Sequence, residues 1–404
     1  MQPRGSKSSF NGLCLRVLTF TALYPNKVNP LQGIFIHQRV KHLARRSGNF
    51  LEVIAPVPYF PSWLPIPRWQ QFSQIPREEV IDGMRIHHPR YPFLPEISMP
   101  AHGMLMYLAS LPIAQRLHRE KRFDCVDAHF VYPDGFAAVR LGRKLHLPVV
   151  VSARGTDINL YPSFRLIRPM LRWTLMHAAG VIAVSADLKT KMIALGIPET
   201  KIQVISNGVD TERFQLLDAK SARKQLELPE EDAIAVSVGY LIESKGHHLL
   251  IAAVAKLMER LPQVRLYVIG EGVYRAELDA LVREKQLQDR VFLLGNRPNQ
   301  ELGLWFSAAD VSCLLSSREG WPNVISEALA CGTPVLATRV GGIPEIITTP
   351  EFGMLVERNV QSIAAGLEQA LTKPWNRVEI ARHSQSRSWN AVAAEVEDYL
   401  KSKV

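Results

Sequence analysis

Short apolar runs of strand length alternate with amphipathic helical runs along almost the whole chain, and nothing else in the sequence constrains the fold as strongly. In the first half, "LRVLTFTA", "LEVIAPV", "FDCVDAHF", "LPVVVSAR", "AGVIAVS" and "KIQVISNGVD" read as strands, with helix-like "IFIHQRVKHLARR", "GFAAVRLGRKLH" and "ADLKTKMIALG" between them. The scheme then starts again, with strands "AIAVSVGY", "VRLYVIG", "RVFLLG", "DVSCLLS" and "PVLAT". The intervening helices are "KGHHLLIAAVAKLMERL", "YRAELDALVREKQL", "QELGLWFSAA" and "NVISEALAC", and helices continue from about Val360. Apolar strands that each lead into a helix predict parallel sheets covered on both faces. A chain of 404 residues is too long for one ordinary core, so two doubly wound α/β units are expected, joined near residues 208–230. Between Pro56 and Pro112 the pattern loosens into a proline-rich stretch with Trp63 and Trp69, the mark of a functional or mobile loop region.

Composition removes several classes. At 47% hydrophobic and 21% charged residues, the chain is neither disordered nor fibrous. Its most apolar stretch, Met104 to Ile113, is far shorter than the roughly 20 residues that cross a bilayer, so no transmembrane helix is expected. Arg4 and Lys7 precede an apolar run from Leu13 to Leu23, as in a signal peptide, but Arg16 interrupts the run, which reads better as a first strand. Cys14, Cys125, Cys313 and Cys331 form no C-x-x-C pair and sit in apolar surroundings, which suits reduced core residues and a cytoplasmic location. The pairs His87-His88 and His247-His248 lack further ligands at metal-binding spacing, so no metal site is expected.

Charge is unevenly placed. Residues 1–207 carry 26 Lys and Arg against 12 Asp and Glu, whereas residues 208–404 carry 22 against 26. A basic half beside a near-neutral one suggests that the first half faces phosphate groups, an anionic phospholipid surface or nucleic acid. No basic strand interleaved with aromatic residues supports nucleic acid. The basic helix from Ile34 to Arg46 and the apolar Met104 to Ile113 run suggest peripheral attachment to an anionic membrane.

In open parallel sheets, ligands sit beyond the carboxyl ends of the strands, where helix N-termini offer N–H groups and a positive dipole. Gly33 precedes a helix after the first strand, where its backbone could approach a phosphate or sugar. Lys245 and Gly246 lie in another strand-to-helix loop, but no G-x-x-x-x-G-K-[ST] motif surrounds them, which excludes a P-loop. Gly270 and Gly272 would need a third glycine at Arg275 to form a dinucleotide fingerprint. In "EGWPNVISEALACG", Glu319 falls in the loop after a buried strand and Glu327 inside the next helix. Eight helical steps at 1.5 Å would set them about 12 Å apart, beyond the roughly 5 to 9.5 Å of hydrolytic carboxylate pairs. They read as separate hydrogen-bond acceptors for one extended ligand with hydroxyls at two places.

Together, "EGWPNVISEALACGTPVLAT" and "GGIPE" resemble the E-x7-E region of retaining glycosyltransferase family 4, whose enzymes have the GT-B fold of two Rossmann-like domains facing a cleft. The resemblance extends to Gly33, to "FDCVDAHF" with His129, to "RGTDIN", to "VISNGVDTERF" with Asn207, Gly208, Asp210 and Phe214, and to "VGYLIESKG" and "VIGEG". It implies an acceptor-binding domain at residues 1–212, a nucleotide-sugar domain at 213–385 and a terminal helix over 386–404 crossing back to the first domain. It also implies that Glu319 meets the transferred sugar and that Glu327 binds ribose hydroxyls. Lys245, with N–H groups near Asn323 and Val324, would neutralise the donor diphosphate. Gly33 would line that diphosphate from the facing domain, and His129 would touch the donor sugar. Two positions depart from the family: Tyr240 stands where an arginine is usual, and Arg154 where a histidine is frequent. Arg154 is then a candidate contact for an acceptor or phosphate, or a partner for Asp157. Pro322 removes a backbone donor at the same corner.

The activity so implied is metal-independent, retaining transfer of a sugar from a UDP- or GDP-sugar to a glycan or lipid-linked acceptor, in exopolysaccharide or cell-envelope assembly, with no cofactor. A sugar-nucleotide epimerase of the same fold and a non-catalytic nucleotide-sugar binder are the alternatives.

Overall fold

The computed structural model describes residues 14–46, 48–59, 70–93 and 98–404; Arg4, Lys7, Trp63 and Trp69 lie outside them. The first half contributes strands β1 (Arg16–Phe20), β2 (Phe50–Ile54), β3 (Val57–Tyr59), β4 (Glu78–Ile81), β5 (Met84–His87), β6 (Arg90–Pro92), β7 (Cys125–His129), β8 (Val149–Ala153), β9 (Gly180–Ala183) and β10 (Ile202–Val204). The second contributes β11 (Ala233–Val238), β12 (Val264–Ile269), β13 (Val291–Gly295), β14 (Val311–Leu314), β15 (Val335–Thr338) and β16 (Gly353–Val356). They form one sheet in the order β10-β9-β8-β7-β1-β2-β5-β4 and a second in the order β13-β12-β11-β14-β15-β16. Strands β7, β8 and β9 are buried at every position, because helices cover both faces of the sheet. Two doubly wound α/β domains result, with parallel pairing throughout except at β4.

The described parts of the proline-rich stretch hold more order than its composition suggests. Strands β4 and β5 form an antiparallel hairpin at the sheet edge, and β3 pairs with β6. The hairpin turns on Asp82 and Gly83, both at positive φ (48° and 78°), as a two-residue primed turn requires. Met104 to Ile113 lies within the helix His102–Lys121, which buries Met106, Ser110, Ala114 and Leu117 against the first core.

The last helix, Trp389–Lys401, packs against the helix Ile34–Ala44 and shares a core with Val40, Leu43, Val392, Val396 and Leu400. Its Glu397 accepts hydrogen bonds from Arg46 at 2.7 Å and Asn49 at 3.2 Å. The chain returns past Val209, whose N–H donates to Arg387 O (3.0 Å) and whose carbonyl accepts from Trp389 N–H (3.3 Å). Most of the basic helix is therefore engaged within the protein. Arg39 is buried on Asp127 at 2.7 Å, Lys41 pairs with Asp82 at 2.7 Å, and Arg46 holds Glu397. Among the described residues, no helix is long and apolar enough to cross a membrane. Cys125, Cys313 and Cys331 are buried free thiols, whereas Cys14 is exposed.

Candidate active site

Strand order reverses at β1, which lies between β7 and β2, and at β11, which lies between β12 and β14. Crevices open beyond the carboxyl ends of strands at such reversals. Loops from both domains meet there around a cleft of about 380 Å³. The first domain supplies Phe35, Phe130, Arg154, Asn159 and Asn207; the second supplies Tyr240, Lys245, Glu319, Trp321 and Asn323. The two backbones touch where Gly320 meets Arg154: a Cβ on Gly320 would stand 2.1 Å from the Arg154 carbonyl oxygen, so only glycine fits.

Glu319 is fixed from three sides. Its Oε1 accepts from Lys245 Nζ at 2.6 Å and from the Ser316 hydroxyl at 2.6 Å. Its carbonyl accepts from Asn159 Nδ2 of the other domain at 3.0 Å, and Lys191 holds Asn159 Oδ1 at 2.7 Å. Glu327 opens instead on a small adjoining crevice with Asp210, Arg213 and Asn299. Burial raises its carboxyl from 4.5 to about 7, against the pull of Arg213. Asn323, the first residue of the helix Asn323–Ala330, lines both cavities and marks the junction between them.

Beneath the cleft lies a buried charge network. Asp127 is bonded to Arg39, and its Oδ2 stands 3.4 Å from His129 Nε2. Arg154 donates to His129 Nδ1 and, at 2.8 Å, to Asn207 Oδ1; Asn207 Nδ2 in turn donates to Asn323 Oδ1 at 2.9 Å. A donor on Nδ1 places the His129 proton on Nε2, facing Asp127. Burial first, and then the nearby arginines, hold His129 down at about 3, so the imidazole is neutral. Burial and the neighbouring Arg39 lower the Arg154 guanidinium to about 9, which leaves it charged near neutral pH. No carboxylate lies within ion-pair distance of that guanidinium among the described residues; Asp127 and Asp157 favour its charge only from farther off.

Two family models together span most of the chain: Glycosyltransferase Family 4 matches residues 34–213 and Glycosyl transferases group 1 matches residues 218–387. The chain belongs to these glycosyltransferases. It is 27% identical over 364 residues to the putative teichuronic acid biosynthesis glycosyltransferase TuaC of Bacillus subtilis, covering 87% of this chain and 88% of that one. It is 30% identical over 247 residues to the putative colanic acid biosynthesis glycosyltransferase WcaL of Escherichia coli, covering 59% of each. Among solved structures, the sucrose-phosphate synthase of Thermosynechococcus elongatus superposes with a TM-score of 0.77 at 20% identity, over 96% of this chain and 99% of that one. Anabaena Alr3699/HepE in complex with UDP gives 0.73 at 20% identity, over 96% and 100%. These likenesses establish the GT-B fold and leave the epimerase and non-catalytic readings without support.

In this glycosyltransferase, the expected site residues divide by position. Glu319, Lys245, Arg154 and Asn323 line the cleft, and Glu327 lines the crevice beside it. Gly33 lines neither cavity; its φ of 63° and the Leu23 carbonyl, which would stand 2.2 Å from a Cβ, account for the glycine, while Ile34 and Phe35 face the cavities. His129, expected at the donor sugar, is fully buried under Arg154, and Arg154 is the residue that reaches the cleft. Asp157 does not bind the Arg154 side chain. It accepts from the N–H groups of Val131, Arg154 and Gly155 at 2.9, 3.1 and 2.8 Å, which fixes the turn after β8. Val324 packs on the second core, and Ile325 N–H is taken by the Pro322 carbonyl at 3.1 Å, so Pro322 sits just ahead of the helix as its cap.

Residues that spacing did not single out are Phe35, Phe130, Asn159 and the Arg154–Asn207–Asn323 bridge. Only Phe130 and Arg154 carry a local signal, each being the first residue after a buried strand. His87 and His88 turn out to be buried and bonded to Glu52, Glu78 and Glu79. The described residues include no group of three or more His, Cys, Asp or Glu able to hold a metal ion.

Proposed function

We propose that this glycosyltransferase moves a sugar from a nucleotide donor with retention of anomeric configuration and without a metal. The observation that carries the reading is the arrangement of two acids on two adjoining cavities around Asn323, with Lys245 on Glu319 and Arg154 opposite. The donor nucleoside lies toward the crevice, where Glu327 accepts from ribose hydroxyls. Its diphosphate lies at the start of the helix Asn323–Ala330, and its sugar lies against Glu319. Departure of the nucleoside diphosphate builds negative charge, and Lys245, Arg154 and the N–H groups of Asn323 and Val324 offset it in a partly dry cleft. Arg154 stands two hydrogen bonds from Asn323, which supports its role as the first domain's cation on the leaving group. His129 acts from behind as a neutral acceptor that orients Arg154. Gly33 acts through the backbone, holding the loop that presents Ile34 and Phe35.

The acceptor is a glycan or lipid-linked saccharide of the cell envelope, on the cytoplasmic side. Support comes from the relatives, two of which are named for teichuronic and colanic acid biosynthesis, and from the solved Alr3699/HepE complex with UDP.

Glu319→Gln tests this reading. Transfer from the donor that the wild type uses should fall at least about 100-fold, as for loss of one strong transition-state contact, while nucleoside diphosphate still raises the melting temperature. The wild-type product should show the donor's anomeric configuration by NMR. An unchanged rate in the variant would remove Glu319 from the mechanism, and an inverted product would remove the retaining assignment.

A further inference from the structure

We propose that the outer face of the helix Arg168–His177, with the turn before it, docks on an anionic phospholipid surface and holds the cleft mouth toward that surface. The face combines two kinds of exposure. Leu166 is 68% exposed, and Phe164 and Met176 are each 42% exposed, although all three are large apolar residues. Arg165, Arg168 and Arg172 are exposed among them, and the Arg143 guanidinium lies 6.0 Å from the centre of the Trp173 ring on the neighbouring helix. An open groove of about 590 Å³ runs along the helix, lined by Arg168, Arg172, Trp173, Met176 and Leu195.

Charge identifies the occupant. From Gly135 to Ala186 the only acidic residue is Asp157, and it is fully buried. The turn Glu199–Lys201, whose Lys201 donates to the Met176 carbonyl, adds one exposed acid, Glu199, and Lys189 pairs with it at 2.9 Å, so cations outnumber free acids on this face. None of Arg143, Arg165, Arg168 and Arg172 forms an ion pair among the described residues. The helix Ile34–Ala44 contrasts with it, since Arg39 and Lys41 of that helix are held by Asp127 and Asp82. Unpaired arginines around apolar side chains match a lipid interface: guanidinium groups meet headgroup phosphates while Phe164, Leu166 and Met176 enter the acyl boundary.

The position relative to the cleft gives the contact a purpose. Gly155, Thr156 and Asn159 line the cleft, and the chain passes from them through the turn Tyr161–Ser163 directly to Phe164. A molecule docked on this face has its cleft mouth beside the membrane, where the saccharide of a lipid-linked acceptor would be found.

The full-length protein is sedimented, at low ionic strength, with vesicles of phosphatidylcholine alone or mixed with phosphatidylglycerol. It should partition onto the mixed vesicles and not onto the neutral ones. Each basic side chain near such a surface contributes about 1 kcal/mol, so the triple variant Arg165→Gln, Arg168→Gln, Arg172→Gln should bind roughly 100-fold more weakly. The double variant Phe164→Ser, Leu166→Ser should also bind more weakly. Nucleoside diphosphate should raise the melting temperature of all three proteins equally, so a failure of docking is told apart from a failure of the donor site. Equal binding to both vesicle types, no binding of the wild type, or wild-type binding by the triple variant would each overturn the proposal.

Discussion

Glu327→Gln separates what this carboxyl does to the fold from what it does for the ligand. Glu327 lines a crevice shared with Asp210 and Arg213, and burial raises it from 4.5 to about 7. The folded value lies above the unfolded one, so the native state holds the proton more tightly between those values. The contribution of this group to stability therefore falls as pH rises from 4.5 toward 7 and stays lost above it. At 1.36 kcal/mol for each tenfold change in acidity, the loss is on the order of 3 kcal/mol. Glutamine has the same shape and no charge to desolvate. The variant should gain about 1 to 3 kcal/mol over wild type near pH 8, the lower figure allowing for partial exposure, and the gap should narrow toward pH 5. The same change should weaken nucleoside diphosphate binding by roughly 10- to 100-fold, because hydrogen bonds to an ionised group are worth about 1.5 to 3 kcal/mol. Urea unfolding of both proteins at the two pH values, with titration calorimetry near pH 8, measures both effects. A variant no more stable than wild type near pH 8 would refute the desolvated carboxylate, and unchanged affinity would refute the ribose contact.

Two further outcomes follow from the buried network and the chain crossing. The His129 ring signals should not titrate between about pH 5 and 8 by NMR, because burial holds the folded value at about 3, below the ordinary 6.5. Its contribution to stability is present above 6.5 and is lost as pH falls below that value; a titration near 6.5 would mean that solvent reaches the imidazole. Gly208→Ala should lower stability by about 2 kcal/mol or more, since its Cβ would stand 2.7 Å from the Trp389 nitrogen and 2.8 Å from the Ser388 carbonyl carbon. A shift in the urea midpoint worth less than about 0.5 kcal/mol would show that the terminal helix yields at this crossing.

The inner strands of both sheets were legible because buried parallel strands are apolar on both faces, and a strand such as Val149–Ala153 has no other easy reading, whereas the half-buried edge strand β16 was not. The placement of Glu319 in a loop and Glu327 in a helix was legible for the same reason, since the apolar period changes between them. The edge hairpin was missed although Asp82-Gly83 carries its turn signal, because β4 alternates exposed and half-buried residues and has no apolar run. Long-range side-chain geometry was not legible at all. Lys245 and Glu319 are 74 positions apart, and nothing local says that they pair. Sequence places His129 and Arg154 at the ends of adjacent strands, but which one reaches the cleft depends on packing around Arg39 and Asp127 underneath. The basic helix misled for a related reason: counting charges does not show that Lys41 and Arg46 have partners in Asp82 and Glu397.

The roles given to Lys245, Glu319 and Glu327 all require that the cleft between the two domains bind a nucleotide sugar. Thermal unfolding in a panel of nucleoside diphosphates and nucleotide sugars tests it most directly, because a ligand of the folded state at 100 times its Kd adds about 2.7 kcal/mol. At least one nucleoside diphosphate and its sugar conjugate should raise the melting temperature of the wild type by several degrees, and Lys245→Ala should reduce that rise. If no nucleotide shifts the transition, the cleft is not a donor site and the roles given to Lys245, Glu319 and Glu327 fall together.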